Sequence, residues 1–467
     1  MEDLRVATTT GTDTLLEEAA VEEFKAGLRG ELLRPGDDGY EEARMVWNAM
    51  INKRPALIAR CAGAADVIHS VNFARTNKLL VAVRGGGHDV AGNAVCDGGL
   101  VIDLSRMKGI RVDPARRTVR AEPGLTWGEF DQETQAFGLA TTGGIVPTTG
   151  IAGLTLGGGL GYLMRRFGLA CDNLLSVDIV TADGQLLPAS TTENEELFWG
   201  IRGGGGNFGV VTSFEYELHP VGPIVLGGLI LHPLARAKEV VQFYREFTST
   251  SPEELTTHLG FVTSPDGHPM VGFIICYSGP MEKGEEVIRP LREFGPPAAD
   301  MAGPTPYTEV QALGGPLYPP GRWNYWKSNF LRELSDEAID TMIEQFSTVP
   351  SPFSAAVLEE LGGAGSRVDE DETAFGERSA HYSLLITSGW LDPAETESNT
   401  QWTRNFWEAM QPFVRDTVYV NYLDRGEEAD RIRAAYGADK YERLVALKNK
   451  YDPTNLFRLN KNIQPTE

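Results

Sequence analysis

Apolar and polar positions follow two textures along this chain, and the change falls near residue 220. Before it, short apolar runs stop at glycine clusters; after it, longer patterns of helical and strand period alternate to about residue 416. An acidic, Ala/Leu-rich pattern over 15–29 predicts a helix. Residues 55–60 and 79–84 read as strands around a helix over 63–76, with Val67, Val71 and Ala74 on one face, a β-α-β unit. Residues 99–104 read as a further strand, and 110–112 and 118–121 flank Asp113-Pro114 as a hairpin. A helix is expected over 127–137, strands over 176–181 and 210–218, a returning strand over 417–423 and a helical stretch over 426–450.

The pattern sorts into an N-terminal part over 30–220, a second domain over 221–416 and a C-terminal segment over 417–467. The chain has 467 residues, 42% hydrophobic and 23% charged, which describes a folded multi-domain protein. The net charge of −23 is spread along the chain without a basic stripe, so a nucleic-acid partner is not expected and anionic substrates are disfavoured. No apolar run reaches roughly 18 residues, and the start has no basic-then-apolar leader, so a cytoplasmic protein without membrane contact is expected. Cys61, Cys96, Cys171 and Cys276 form no CxxC pair and read as reduced thiols. The histidines are dispersed and no metal is expected.

Chemistry concentrates in three glycine clusters. The first, Arg84-Gly85-Gly86-Gly87-His88, follows a strand. Glycine lets backbone approach a ligand closely, and a histidine closing such a loop sets a ring nitrogen beside it. The second begins at Thr142 and runs through Thr148, Thr149, Gly150, Gly153, Gly157 and Gly158 to a short helix, with Leu160, Met164 and Phe167 on one face and Gly168 at its C-cap position. The third, residues 202–209, matches GxGxxG but leads into a strand, not a helix, which argues against a Rossmann phosphate loop. No P-loop or G-x-S-x-G motif occurs.

In combination and order, RGGGHDVAG, PTTGIAGLTLGGGLGYLMRRFGLACDN, ELFWGIRGGGGNFGVVT, YVNY and YDPTNLFRLNKNI resemble the berberine-bridge-enzyme-like flavoproteins of the vanillyl-alcohol-oxidase superfamily, over about residues 30–465. The resemblance implies an α+β fold. A two-part FAD-binding domain is built from the N-terminal half and the C-terminal tail, with an inserted substrate domain of antiparallel sheet backed by helices. It implies FAD bonded covalently to His88 only, because Val146 stands where many relatives carry a second, cysteine anchor, and Cys171 lies in a different segment. Cofactor contacts are expected from Arg84, Gly85, Gly86, Gly87, His88, Thr148, Thr149, Gly150, Gly153, Gly157, Gly158, Val211, Asn421 and Asn460. Thr149, close in shape to the valine that leaves room for oxygen in plant relatives, favours an oxidase.

The activity implied is hydride transfer from a C–OH or C–N carbon of a small molecule to flavin N5, with O2 reduced to H2O2. Tyr419 or Tyr422 is the expected base, acting as a phenolate if its surroundings lower its pKa; on a strand the two would face opposite sides. Arg367 replaces the glutamate of the alkaloid-cyclising relatives, so ring-closing chemistry is not expected. A sugar, an alcohol and an amine all stay open as substrates. So do a flavin dehydrogenase with another electron acceptor and a non-catalytic flavin-binding protein.

Overall fold

A computed structural model of the chain describes residues 3–426 and 429–466. The β-α-β unit consists of strand Leu57–Arg60, helix Ala64–Thr76 and strand Val81–Arg84. Strand Leu100–Asp103 lies between the two strands and parallel to both, and Glu31–Leu33 adds an antiparallel edge. The helix stripe Val67, Val71 and Ala74 is fully buried in one core with Leu57, Ala59, Leu100 and Ile102. Parallel strands are covered on both faces, which is why these strands read as continuous apolar runs.

A five-stranded antiparallel sheet follows, in the order Leu186–Ser190, Leu174–Val180, Val210–Glu217, Thr118–Ala121 and Ile110–Asp113. The third sheet has eight antiparallel strands, all between Ile224 and Trp390. In order across the sheet its main members are Ile224–Pro233, Pro269–Tyr277, Leu255–Thr263, Ala355–Glu360, Tyr382–Trp390 and, at the edge, Trp323–Phe330. One face packs Leu259, Phe273, Leu358 and Ile386 against helices Ala237–Thr248, Asp336–Phe346 and Thr396–Met410. Side chains alternate across a strand, so His258, Glu359 and Ser383, each one residue from a helix-side neighbour, point to the other face. We propose a division into domains at 220 and 416 on this segregation of the sheets.

Three sequence expectations are corrected. Residues 417–423 form no strand; they carry a 3₁₀ turn at Val420–Tyr422. The helical stretch expected over 426–450 is two helices, Ala429–Tyr436 and Ala438–Tyr451, parted at Gly437 with φ of 78°, and its residues 427–428 lie outside the described residues. In the pattern over 15–29, the helix spans Glu18–Gly27, and Asp13–Leu16 pairs with Leu4–Ala7 as a strand.

The tail returns through a buried ion pair. Lys448 Nζ lies 2.7 Å from Asp452 Oδ2 with both side chains fully buried. Asp452 also accepts from the backbone N–H groups of Leu456 and Phe457, and Lys448 donates to the carbonyls of Asn207 and Phe457. This network pins the C-terminal segment to the third glycine cluster. Removing one partner of a buried, hydrogen-bonded pair leaves the other charge uncompensated. Asp452→Ala is therefore expected to destabilise the protein by about 3–5 kcal/mol, measured as a lowered denaturation midpoint.

Candidate active site

Strand Val81–Arg84 carries the chain into the first glycine loop, which meets the second at backbone contact. A Cβ on Gly86 would lie 2.6 Å from the nitrogen and Cα of Gly150, and one on Gly150 would lie 2.6 Å from the nitrogen of Gly86. Only glycine fits at this crossing. Gly87 has φ of 68°, which turns the chain toward His88, and Arg84 lies across it, donating to the carbonyl of Ala43. The crossing brings Thr148 Oγ1 within 3.4 Å of His88 Nε2. Thr149 is half-buried, and Gly153, on helix Ile151–Leu156, faces open space.

His88 stacks on Trp47 at 4.4 Å between ring centroids, with the planes 19° apart. The Trp47 N–H donates to the Gly87 carbonyl and its Nε1 donates to the Tyr318 carbonyl. His88 is half-buried, and burial pulls its pKa down to about 4, so the ring is neutral at ordinary pH. Trp47 has no marker in sequence, because it sits in an irregular segment far from any glycine motif. Val146 packs with Trp47, Tyr318 and Trp326. Burial raises the Cys171 thiol well above its ordinary value, so it is a poor nucleophile.

The third cluster and the tail complete the cradle. Gly203 and Gly205 donate to the Leu156 carbonyl, which fastens the third cluster to the helix of the second. Asn460 donates to the carbonyls of Gly206 and Phe457, while its buried Oδ1 has no partner among the described residues. Lys461 reaches Asp89 at 3.2 Å, one residue past His88. Val211 lies instead in the apolar core with Leu156, Ile179 and Phe214.

From the other side comes the turn at Val420–Tyr422. Tyr422 N–H donates to the Tyr419 carbonyl, and this i to i+3 bond puts both rings on one side, edge to face at 4.8 Å. Asn421 Nδ2 donates to the Leu154 carbonyl and to the Tyr419 hydroxyl, and a Cβ on Gly157 would strike Asn421 Oδ1. Gly158, at φ of 119°, packs under Phe375 and Tyr419. The Tyr419 oxygen also accepts from the backbone N–H of Gly159 at 2.9 Å, so it is held in place from several directions. The aromatic rings form a continuous wall from His88 through Trp47, Trp326 and Tyr422 to Tyr419.

One carboxylate was not singled out from sequence. Tyr422 donates to Glu359 Oε1 at 2.6 Å. Burial pushes Glu359 up to about 7, against the opposing pull of that hydrogen bond. Its neighbour Glu360 points to the helix side and pairs with Arg165 at 2.8 Å. Two adjacent glutamates closing an apolar, buried strand were a signal available in sequence. The phenolate expectation is corrected. Burial raises both Tyr419 and Tyr422, with the Glu359 charge adding to the effect on Tyr422, so each is a neutral phenol. The segment 366–378 touches the site through Phe375, which packs edge-on against Tyr419, while Arg367 is exposed against Glu253 and Arg378 pairs with Asp172. Among the described residues there is no metal-binding cluster and no helix long and apolar enough to cross a membrane.

A glycine cradle that side chains would fill, an orphaned amide oxygen and a neutral imidazole beside it suit a large, flat, hydrogen-bonding cofactor. The comparisons identify the class as FAD-linked oxidoreductases. Residues 55–190 match a model described as FAD binding domain, and 418–464 match one described as berberine and berberine like. A FAD-linked oxidoreductase of Dictyostelium discoideum is 33% identical over 96% of this chain and 97% of its own. The (R)-6-hydroxynicotine oxidase of Paenarthrobacter nicotinovorans is also 33% identical, over 94% of this chain and 97% of its own. The crystal structure of 6-hydroxy-D-nicotine oxidase from Arthrobacter nicotinovorans superposes with a TM-score of 0.86 at 29% identity, covering 94% of this chain and 98% of that one. The chain belongs to the berberine-bridge-enzyme-like family of FAD-linked oxidoreductases, with the vanillyl-alcohol-oxidase type of fold.

The crossing can be tested directly. Gly86→Ala is expected to part the two loops and yield protein with little bound flavin, read as the ratio of flavin to protein absorbance. Gly138→Ala, a substitution at a turn glycine with open space around its Cβ position, is the control for backbone strain alone, since Gly138 has φ of 65°.

Proposed function

We propose that this chain is an oxidase that removes a hydride from a C–OH carbon of a small molecule and holds FAD by one covalent bond, from His88. The observation that carries the reading is the hydrogen bond from Tyr422 to Glu359. An alcohol carbon loses its hydride readily only as the hydroxyl proton departs, since the product is a carbonyl. A neutral Tyr422 oxygen accepts that proton while its own passes to Glu359 Oε1, so no phenolate is formed at rest. The Glu359 pKa of about 7 keeps a share of the acceptor ionised at neutral pH. Tyr419, held by the Gly159 N–H and Asn421, positions Tyr422. FAD, when bound, supplies the two-electron acceptor, and dioxygen takes the electrons on to hydrogen peroxide.

Support for the single anchor is chemical. His88 is neutral and carries a nucleophilic nitrogen, Val146 has no thiol, and the Cys171 thiol resists ionisation. Arg84, Gly85, Gly86, Gly87, Thr148, Gly150, Gly153 and Asn460 are the residues proposed to hold the cofactor, with Asn421 and Thr149 toward its reactive end. A C–N carbon is the second reading, favoured by the similarity to (R)-6-hydroxynicotine oxidase. A neutral amine expels hydride with its own lone pair, so it makes no use of the Tyr422–Glu359 relay. An electron acceptor other than oxygen is distinguished by the absence of peroxide during turnover.

Acid-precipitated protein is expected to stay yellow and to give one flavin-bearing peptide containing His88; His88→Ala is expected to release its flavin on denaturation. A flavin attached to a cysteine peptide would refute the single anchor. Tyr422→Phe is expected to slow anaerobic flavin reduction by about 10²–10⁴-fold, with a much smaller effect from Tyr419→Phe. The acceptor is the ionised form of Glu359, so the reduction rate should rise with pH through about 7, and Glu359→Gln should remove that inflection. A wild-type rate flat across this range would move the base elsewhere.

A further inference from the structure

The Trp47 side chain is buried; it lies flat against His88 and meets Trp326 edge-on at 5.4 Å. Hydrogen bonds to three separate segments fix it. Its backbone N–H donates to the Gly87 carbonyl, its own carbonyl accepts from the Gly321 N–H, and its Nε1 donates to the Tyr318 carbonyl at 2.9 Å. Asn48, the next residue, donates to the carbonyls of Val90 and Asn324 and accepts from the Asn324 N–H. The indole thus takes its place from backbone on both flanks of His88 and from the large sheet, not from the imidazole. The imidazole has less support of its own. Its Nε2 lies 3.4 Å from Thr148 Oγ1, and the residue before it is a glycine at φ of 68°.

Bonding a cofactor to a histidine makes two demands on the ring. A nitrogen must keep its lone pair, which a protonated imidazole lacks. That nitrogen must also point in a fixed direction, and the outer torsion of a histidine side chain is intrinsically broad. A flat neighbour narrows that torsion, because tilting the imidazole breaks the stack. The same neighbour keeps water from one face of the ring. Of the charged groups beside His88, Asp89 favours the protonated ring but is itself paired with Lys461, and Arg84 is turned to the Ala43 carbonyl. Burial outweighs Asp89, and the ring stays neutral.

Building on the covalent bond proposed from His88, we propose that Trp47 is a positioning residue for the attachment of FAD. Its indole holds the plane of the imidazole and shields one face from water, so that a neutral nitrogen is presented in a fixed direction. In the attachment step the lone-pair nitrogen bonds to the 8α methyl carbon of the flavin. One C–H bond of that methyl group and the N–H of the other ring nitrogen break, and the flavin gains two electrons and two protons. Dioxygen takes these and leaves as hydrogen peroxide. Trp47 enters no bond in this step and acts through His88 alone.

The test uses the full chain, expressed under riboflavin limitation and incubated with FAD in air. Flavin that survives acid precipitation is followed against time at several FAD concentrations, which separates the dissociation constant of unattached FAD from the limiting rate of attachment. Trp47→Phe keeps a flat face and is expected to stay within a few-fold of wild type. Trp47→Leu is apolar but shorter and has no flat face; its limiting rate is expected to fall on the order of 10²-fold, as for a misoriented reacting group. The pH profile is the second readout. Wild-type attachment should be level between about pH 5 and 8, where the imidazole is neutral throughout. In Trp47→Leu water reaches the ring, its pKa rises toward the ordinary value of about 6.5, and the rate should drop as pH falls through that value. Asn48→Ala loosens the same segment without altering the indole; it should slow attachment in the same direction, and it decides the matter if Trp47→Leu does not fold. A wild-type limiting rate in these variants, or a loss confined to the dissociation constant, would overturn the role of Trp47 and leave the covalent bond standing. Equal large losses in Trp47→Phe and Trp47→Leu, or a slowed rate without the new pH dependence, would make Trp47 a packing residue and overturn it too. If the wild type never retains flavin through acid precipitation, the covalent reading of His88 falls first and the role of Trp47 with it.

Discussion

The backbone of Gly86 passes the backbone of Gly150 at a separation that admits no side chain on either. The rest of the glycine cradle depends on this contact. It sets Thr148 beside His88 and brings helix Ile151–Leu156 up to the first loop. That helix then supplies the carbonyl at Leu156 on which Gly203 and Gly205 fasten, so the third cluster is placed by the second. Two of the three glycine clusters thus make the surface, and the third buttresses it. A single methyl group at the crossing would separate elements that are distant in sequence and contribute side by side.

The segment Trp47–Ala49 joins this cradle to the large sheet. Its backbone and side chains bond Gly87 and Val90 on one side, and Tyr318, Arg322 and Asn324 on the other. The first glycine loop and the edge strand Trp323–Phe330 are therefore held in one hydrogen-bonded layer, with the Trp47 ring stacked on His88. The partners of this segment are nearly all backbone groups, so its position tolerates substitution in the strands it joins while fixing their spacing. The Tyr422–Glu359 bond closes the same seam from the far end, linking the returning tail to strand Ala355–Glu360.

Burial supplies the chemistry along this seam. It neutralises His88 and His258, raises Glu359 toward neutrality and keeps both tyrosines protonated. In water Glu359 would be an ordinary ionised carboxylate and the two histidines would titrate close to neutrality. The same sheet treats consecutive glutamates differently: Glu360 is ionically paired on the helix side, whereas Glu359 faces the tyrosines. The strand pleat alone separates a structural carboxylate from one available for proton transfer.

Much of the fold was legible in sequence because local periodicity and glycine chemistry act over a few residues. The β-α-β unit, the hairpin at Asp113-Pro114 and the glycine loops all follow from neighbours in the chain. The strand expected at 417–423 failed because apolar alternation cannot tell a strand from an extended segment closed by a 3₁₀ turn, and that turn reversed the expected facing of Tyr419 and Tyr422. Trp47 and His258 carry no local signature, and the paired glutamates at 359–360 do not say which of them faces the tyrosines. Their roles arise from pairings across scores of residues, and the charge state of each is a property of what surrounds it. Sequence determined the elements and the family motifs; only the tertiary structure decided which buried polar atoms were left facing one another, because desolvation and hydrogen-bond satisfaction are settled by packing, not by order along the chain.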